Sequence, residues 1–289
     1  NGHFEVRTKE SEKVWYQRSH VFELILPDAP FLVETFKTLF RKYGLKLTRI
    51  LHPIIAVETN PQGLITQFGK PTETSVNYSL TYIEFEDMEN NKTIDALIND
   101  IQYHIECIQR SQQDNHHIYQ QLDTVNKQLT TMKGKTTEPI PEWKALLKWL
   151  DKENFSFFGY TNFTHKSNKV TQSLPAGRGL LSRSLTHKRF VRLNKTIEKL
   201  VNDTKDVGTS FAFDTIKSNS PIQRFEKMMR LSIKINTKNN DTIEHIFIGL
   251  LRRSSLMTKN MDTPLIHLKM DYIFKARQMA KFSHNYNER

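Results

Sequence analysis

The stretch from Val21 to Val57 constrains the fold most, because it alternates strand and helix patterns. Val21–Leu26 is a dense apolar run that Pro27–Pro30 closes, which predicts a buried strand. Apolar residues then recur at helical spacing, at Leu32, Val33, Phe36, Leu39, Phe40 and Tyr43. Gly44 follows where a left-handed helix cap is expected, and Leu45–Val57 predicts a second strand. Such a β-α-β start builds an open sheet with helices on one face.

Length and composition indicate a soluble chain of about two domains. Its 289 residues are 37% apolar, enough for a substantial core. The sequence has no run near the roughly 18 apolar residues that a membrane span needs. It begins without methionine and without a signal-peptide pattern, so we expect an excised part of a longer protein. Its one cysteine, Cys107, excludes an internal disulfide, and we expect a buried thiol in the reducing cytoplasm.

Charge is distributed unevenly along the chain, which supports two modules with different surfaces. Residues 1–150 hold 17 Lys and Arg against 19 Asp and Glu, a net charge of −2. Residues 151–289 hold 25 against 12, a net charge of +13. A basic half is compatible with nucleic acid or an acidic partner. Its basic residues are scattered and form no recognisable nucleic-acid motif, so we expect neither nucleic acid nor membrane as a partner.

The first half predicts an arm followed by a mixed module. Residues 1–18 are polar and are expected to be an N-terminal arm. Asn60–Gly63 is a turn signal, Leu64–Phe68 a short strand, and Val76–Phe85 alternates as a half-buried strand. A second helix begins at Asn91. The order β-α-β-β-β-α places both helices on one face of an antiparallel sheet.

A break and a linker are expected before the second half. Residues 111–115 interrupt the second helix, and Asp114 is a candidate cap for a third helix running to about Leu129. We therefore assign residues 19–129 to the first module, 130–140 to a linker and 141–289 to a second module. Three histidines lie near the break and are expected on a solvated face rather than at a metal: His104, His116 and His117.

The second half predicts another sheet with helices. Pro141 opens a helix, Phe155–Phe163 is an aromatic strand, and a helix runs through Leu193–Val201. Strict alternation from Met229 to Ile235, a polar turn and then Ile243–Leu251 predict a long hairpin. A last helix is expected from Pro264 to about Met279. The aromatic residues of the first of these strands are expected in the core: Phe155, Phe157, Phe158 and Tyr160.

The first module resembles an ACT-like ligand-sensing module. That family's first loop usually reads Asp-x-Pro-Gly-Leu-Leu, and here it stands as Asp28-Ala29-Pro30-Phe31-Leu32-Val33. In ACT modules the loop exposes backbone amides at a helix start, suited to an amino-acid carboxylate. The resemblance therefore implies an effector site at Asp28, Ala29, Pro30 and Phe31. Two departures stand out: Phe31 replaces the glycine, and no final strand follows the second helix directly. The alternative is a simple strand-to-helix turn with Asp28 as cap.

A wider resemblance connects several segments in order. RSHVFELILPDAPFLVETF and ILHPIIAV resemble the N-terminal region of the large bacterial NAD-specific glutamate dehydrogenases, as do Trp149–Tyr160, Gly177–Leu181 and His245–Lys269. That family's dehydrogenase core follows ACT-like and PAS-like regulatory modules. The resemblance implies an α+β chain, a ferredoxin-like ACT-type module followed by a PAS-like antiparallel sheet module with helices. It also implies a homo-oligomer and, as a partner, a catalytic domain in the same chain that uses NAD.

The residues themselves carry no catalytic constellation. Gly177-Arg178-Gly179 lacks the third glycine of a dinucleotide turn and a clean strand before it, so we interpret it as a structural turn. We accordingly expect no catalytic residue, cofactor site or metal site in these residues. Arg252 and Arg253 end a predicted strand, where they could clamp a carboxylate or phosphate, or lie on a solvated rim or subunit interface.

Two functional hypotheses follow. In the first, this is a non-catalytic regulatory segment that senses an amino-acid effector and biases a distant catalytic domain. In the second, it is a purely structural module that assembles the oligomer. A closed corner filled by side chains at Asp28 favours assembly, whereas an open cleft lined by amides favours sensing. A stand-alone basic binding protein is a third and weaker hypothesis.

Overall fold

The chain folds into two compact units, each an antiparallel sheet with helices. A computed structural model describes residues 3–9, 19–62, 64–86, 91–131, 140–166, 169–173, 177–203, 210–237, 239, 241–256 and 262–264. Unit 1 comprises Asn1–Gln112 and Ser220–Glu226, and unit 2 comprises Gln113–Asn219 and Lys227–Arg289. This architecture confirms the predicted α+β class. Among the described helices, none is long and apolar enough to cross a membrane.

Unit 1 contains one six-stranded sheet and two helices. Its elements are β1 (His3–Lys9), β2 (Ser19–Pro27), α1 (Leu32–Lys42), β3 (Leu47–Leu51), β4 (Ile54–Thr59), β5 (Ile65–Phe68), β6 (Val76–Glu86) and α2 (Asn91–Gln113). The strand order is β1-β2-β6-β4-β5, and β3 also pairs with β6. All these pairings are antiparallel.

Helix α1 packs on the inner face of this sheet through aromatic rings. The Phe22 ring on β2 lies 5.0 Å from that of Phe36, and Phe40 lies 5.0 Å from Phe85 on β6. The helix ends as predicted, because Gly44 has a positive φ of 73° and its N–H donates to the Arg41 carbonyl. The Leu45 N–H then donates to the Phe40 carbonyl, which completes a Schellman cap.

Two strand predictions in unit 1 need correction. Residues 1–18 are not only an arm, because His3–Lys9 forms β1 and pairs antiparallel with β2. An edge strand pairs on one side only, so a short polar sequence is sufficient for it. The sequence analysis found no final strand directly after α2. At that edge of the sheet, β1 from the N-terminal side pairs with β2. Leu45–Val57 is also two strands rather than one, with His52 and Pro53 between β3 and β4.

Unit 2 contains a second six-stranded sheet. Its elements are α3 (Asn115–Thr131), α4 (Ile140–Trp149), β7 (Phe155–Lys166), β8 (Lys169–Gln172), β9 (Arg178–Gly179), α5 (Lys188–Asp203), β10 (Phe211–Asn219), β11 (Lys227–Asn236), β12 (Thr242–Leu251) and α6 (Arg253–Leu256). The strand order is β10-β11-β12-β7-β8, and β9 also pairs with β7. The long hairpin is present as β11 and β12, paired from Met229–Gly249 to Asn236–Thr242.

The core of unit 2 changes the expected domain boundary. Buried residues of α3 and α4 pack with aromatic residues of β7, including Phe155, Phe157 and Tyr160. Helix α3 therefore belongs to unit 2, although residues 19–129 were assigned to the first module. The reason is its apolar face, which is complementary to this sheet. Thr130 and Thr131 lie in α3 rather than in the linker, and linker residues 132–139 and helix residues 265–279 lie outside the described chain.

Candidate functional site

The corner between β2 and α1 is the candidate effector site. Asp28, Ala29, Pro30 and Phe31 form the turn between the two elements. The main-chain N–H of Asp28 donates a 2.8 Å hydrogen bond to the carbonyl of Asn77, which holds the turn against β6. Three of the four residues are half-buried, and Pro30 is exposed. The turn is therefore fixed to the sheet and still reachable from solvent.

Phe31 has a backbone conformation that favours glycine. It is the N-cap residue of α1, with φ 68° and ψ 6°. This left-handed conformation costs a residue with a side chain roughly 1–2 kcal/mol, and glycine adopts it freely. The ACT-type loop has glycine at this position. Phe31 therefore adopts a backbone conformation that the glycine of that loop would adopt freely.

The start of α1 can attract an anion through its main chain. Within the described residues, no side chain caps this helix, so the prediction that Asp28 caps it is wrong. The helix begins at Leu32, which leaves Asp28 three residues before the N-cap residue Phe31. Unpaired N–H groups and the helix dipole favour a carboxylate at such a terminus. Glu34 in the first turn partly opposes this attraction.

Thr35 connects this corner to a distant segment that also belongs to unit 1. Its hydroxyl donates a 2.7 Å hydrogen bond to the Phe31 carbonyl, which also accepts the Thr35 N–H at 2.8 Å. The same hydroxyl oxygen accepts the main-chain N–H of Gln223 at 2.9 Å. Thr35 and Gln223 are both buried, at 0% and 5% exposure. These bonds hold Phe31 in its strained conformation.

We call Ser220–Glu226 the clasp segment, because its Gln223 is hydrogen-bonded to Thr35 near the start of α1. Gln223 has a positive φ of 69°, and the Ser220 hydroxyl donates to the Ile222 carbonyl at 2.7 Å. His104 on α2 lies 2.5 Å through Nδ1 from the Pro221 carbonyl, so Nδ1 carries the proton. The His104 ring stacks on Phe225, with centroids 4.7 Å apart and planes at 7°. The clasp segment is thus attached to both helices of unit 1.

The histidine prediction is only partly right. His116 and His117 are exposed, as expected of a solvated face. His104 is 3% exposed and lies between the clasp segment and α2. The prediction failed there because the partners of His104 lie more than a hundred positions away. Among the residues that the structure describes, no group of three His, Cys, Asp or Glu could hold a metal ion.

Arg252 and Arg253 do not converge on one point. Arg252 is half-buried, and its Nη1 lies 3.2 Å from the Glu153 carboxylate. Arg253 is exposed at the start of the four-residue helix α6. The structure therefore gives the two guanidinium groups different surroundings.

The Gly177–Leu181 segment forms a tight turn. Gly177 and Gly179 have φ of 60° and 57°, and a Cβ at Gly179 would collide with the Phe158 carbonyl oxygen. The Gly179 N–H donates a 2.7 Å hydrogen bond to the Asp114 carboxylate. Asp114 thus binds this turn through its side chain, and its carbonyl accepts the Ile118 N–H at the start of α3. These glycines allow close backbone packing.

Unit 2 buries a second set of titratable groups on β12. Glu244 accepts hydrogen bonds from the Ser232 hydroxyl at 2.6 Å and from His165 Nε2 at 2.8 Å. Burial acts to raise the pKa of Glu244, but these hydrogen bonds and nearby Lys234 outweigh it and hold the pKa below its usual value. The adjacent His245 accepts the Tyr160 hydroxyl at 2.9 Å through Nδ1, and burial lowers its pKa to about 4. Glu244 is satisfied within the sheet, which indicates a structural role, whereas the Nε2 of His245 is buried without a hydrogen-bond partner among the described residues.

Comparison with known proteins relates the chain to one enzyme family. The profile of the glutamate dehydrogenase ACT1 domain matches residues 3–101. The NAD-specific glutamate dehydrogenase of Halomonas elongata is 22% identical over 175 residues, which are 58% of this chain and 11% of that protein. The aligned part is thus about a ninth of the relative. These matches confirm the predicted relation to the N-terminal ACT region of that enzyme.

The loop pattern indicates the candidate corner, but no sequence pattern indicates the hydrogen bond between Thr35 and Gln223. The residues Asp28–Phe31 were found from the loop pattern. Thr35 and Gln223 carried no motif, because a threonine inside a helix and a glutamine in a polar stretch are both ordinary. The dipeptide Ser220-Pro221 is a turn signal, and it indicates an irregular segment at the start of Ser220–Glu226.

Proposed function

We propose that the chain is a non-catalytic regulatory segment of an NAD-dependent glutamate dehydrogenase. The whole enzyme would convert L-glutamate, NAD and water to 2-oxoglutarate, ammonia and NADH in the cytoplasm. Its catalytic domain would lie elsewhere in the same longer chain and would bind NAD, and the whole would be a homo-oligomer. The observation that carries this proposal is the match of residues 3–101 to the ACT1 domain. The second unit would be the PAS-like module of that enzyme.

The proposed division of labour is tested by assaying the 289-residue chain alone. L-glutamate and NAD are supplied in excess, and NADH is followed by absorbance. We expect no NADH above the rate of the buffer. NADH formation that increases in proportion to the chain would overturn the non-catalytic assignment.

The effector would bind at the β2–α1 corner through its α-carboxylate and α-ammonium groups. The first-turn N–H groups of α1 would donate hydrogen bonds to the effector's carboxylate, and the Asp28 carboxylate would attract its ammonium group. The half-exposed turn and the helix start without a side-chain cap support this proposal. The clasp segment would determine how far the corner opens, since Gln223 is bound to Thr35 beneath it. An amino acid is the chemical class that carries both charges at that spacing.

A second candidate function is assembly of the oligomer without a ligand. Two observations favour it: the clasp segment is hydrogen-bonded to Thr35 at the start of α1, and the sheet of unit 1 exposes large apolar side chains. A thermal-shift screen with the common amino acids, 2-oxoglutarate and nucleotides separates the candidates. A ligand at about 100 times its Kd stabilises a protein by roughly 2.7 kcal/mol. A selective shift favours sensing, and the absence of a shift with every compound favours assembly.

A further inference from the structure

The face of the unit 1 sheet that points away from α1 carries a broad apolar area, bordered at one end by Glu23, Arg49 and Glu84. Strand β6 alternates, so that Ile83 and Phe85 are buried under the helices and the intervening residues point the other way. We define the outer face by nine residues: Ile25, Leu51, Ile55, Val57, Phe68, Val76, Tyr78, Leu80 and Tyr82. Solvent-facing sides of antiparallel sheets are ordinarily polar. This one is therefore unusual.

Strand register shows that the outer face is continuous. Ile25 lies directly opposite Leu80, and Leu51 lies opposite Tyr82. At the other end Val57 lies opposite both Val76 and Phe68. Directly opposite residues of antiparallel strands have Cβ atoms about 4.5–5.5 Å apart and share one face. The nine side chains consequently form one surface that crosses the sheet from β2 to β5.

The exposure of these side chains is high for a folded unit. Phe68 is 75% exposed, Leu51 54%, Val76 51% and Ile25 44%. Ile65 lies opposite Thr59 on β4 and is 65% exposed at the start of β5. Together these side chains form an apolar patch on the scale of about 300–600 Å², the size of the largest patch on a typical monomer. A standard interface buries about 800 Å² on each partner, so the patch amounts to a substantial part of one.

We propose that the outer face binds the same face of a second copy of this chain about a twofold axis. This inference deepens the assembly candidate and does not depend on effector sensing. A twofold interface pairs one patch with itself, which suits a patch that is mainly apolar. Unit 1 carries 13 Lys and Arg against 16 Asp and Glu, a net charge of −3, so repulsion between copies is small. That charge also disfavours an anionic partner. The two sheets would stack face to face about 10 Å apart.

The test compares the mass of the 289-residue chain with that of two matched variants. Analytical ultracentrifugation from about 1 to 100 µM is expected to show a dimer of about 68 kDa, twice the 34.0 kDa of the chain. Phe68→Lys combined with Val76→Lys places charges in the interface, which should raise the dimer Kd at least about tenfold. Val191→Lys is the control, because Val191 is also exposed, at 41%, but lies on α5 of unit 2. Circular dichroism verifies that each variant is folded.

Hydrogen exchange on the unmodified chain keeps the test independent of the variants. Peptides covering β5 and β6 are expected to exchange more slowly at 100 µM than at 1 µM, with little change in α5. A chain that stays monomeric at 100 µM overturns the proposal, and so does a dimer that Phe68→Lys and Val76→Lys leave unchanged. Neither result affects effector binding, which the thermal-shift screen measures separately on the same samples.

Discussion

The main-chain N–H of Gln223 donates a hydrogen bond of 2.9 Å to the hydroxyl oxygen of Thr35, 188 positions earlier in the chain. This bond joins the clasp segment to the first turns of α1, where the candidate effector site lies. Because Thr35 is fully buried, water cannot replace the hydrogen bonds of its hydroxyl group. The bond therefore links the geometry of the corner to a segment that no local pattern connects with it.

Replacing Thr35 with valine should destabilise unit 1. Valine keeps the shape of threonine but leaves the buried Gln223 N–H without its acceptor, which costs about 1–3 kcal/mol. Thr35→Ser is the control, since it keeps the hydroxyl and loses one methyl group, about 0.8 kcal/mol. The urea midpoint of each variant is measured by fluorescence. A midpoint of Thr35→Val equal to that of the unmodified chain would show that the hydroxyl contributes nothing to stability.

His104 should stabilise the clasp segment through both its proton and its ring. His104→Phe keeps a ring against Phe225 and loses the hydrogen bond to the Pro221 carbonyl, an expected loss of about 1–2 kcal/mol. His104→Ala also removes the ring and should cost about 2–4 kcal/mol. Hydrogen exchange of the peptide covering Ser220–Glu226 is the most direct measurement. Unchanged protection in both variants would contradict this role.

The stability of unit 2 should fall as the pH is lowered from about 6.5 to about 4. Burial depresses the pKa of His245 from 6.5 to about 4, so the unfolded state binds the proton first in this window. The contribution is complete above pH 6.5, and its loss is on the order of 2–3 kcal/mol at pH 4. His245→Gln should flatten this dependence while leaving an acceptor for Tyr160. Thermal unfolding between pH 4 and 7.5 measures it, and parallel curves for both proteins would contradict the assignment.

Two glycines with similar backbone angles should respond differently to alanine. A Cβ at Gly179 would meet the Phe158 carbonyl oxygen, whereas a Cβ at Gly44 meets nothing within 4 Å. Gly44→Ala should therefore cost only its left-handed φ, about 1 kcal/mol. Gly179→Ala should cost considerably more, because the main chain of β7 must move. Their relative thermal midpoints test this order, and equal midpoints would show that the turn accommodates a side chain.

Local signals predicted the elements that depend on local chemistry. The spacing of Phe36, Leu39 and Phe40 gave α1, and Gly44 gave its end. Alternation predicted β6 and β11, and the polar turn followed by the apolar run Ile243–Leu251 predicted β12. The edge strand β1 and the short strand β8 were missed, because strands paired on one side need no strong apolar pattern.

The sequence predicts the loop of the candidate site, Asp28–Phe31, but not the contacts that other parts of the chain make near it. Asp28–Phe31 carried a recognisable pattern, but the left-handed φ of Phe31 contradicts what its residue type favours. Burial of His104 depends on Pro221 and Phe225, whose sequence separation from it exceeds a hundred positions. The alternation in β6 predicts a strand with one buried face and one polar face, so it does not indicate the outer face. The strand register shows that the face of β6 turned away from α1 also carries apolar side chains.

The central claim is that an amino-acid effector binds at the β2–α1 corner, and a calorimetric titration tests it most directly. The amino acid selected by the thermal-shift screen is titrated into the wild-type chain, Asp28→Ala and Asp95→Ala. Asp95 is the control, because it is an exposed aspartate on α2 of the same unit. We predict one binding site per chain, at least about tenfold weaker binding in Asp28→Ala and no change in Asp95→Ala. No heat from any amino acid, or equal affinity in all three proteins, would contradict the account.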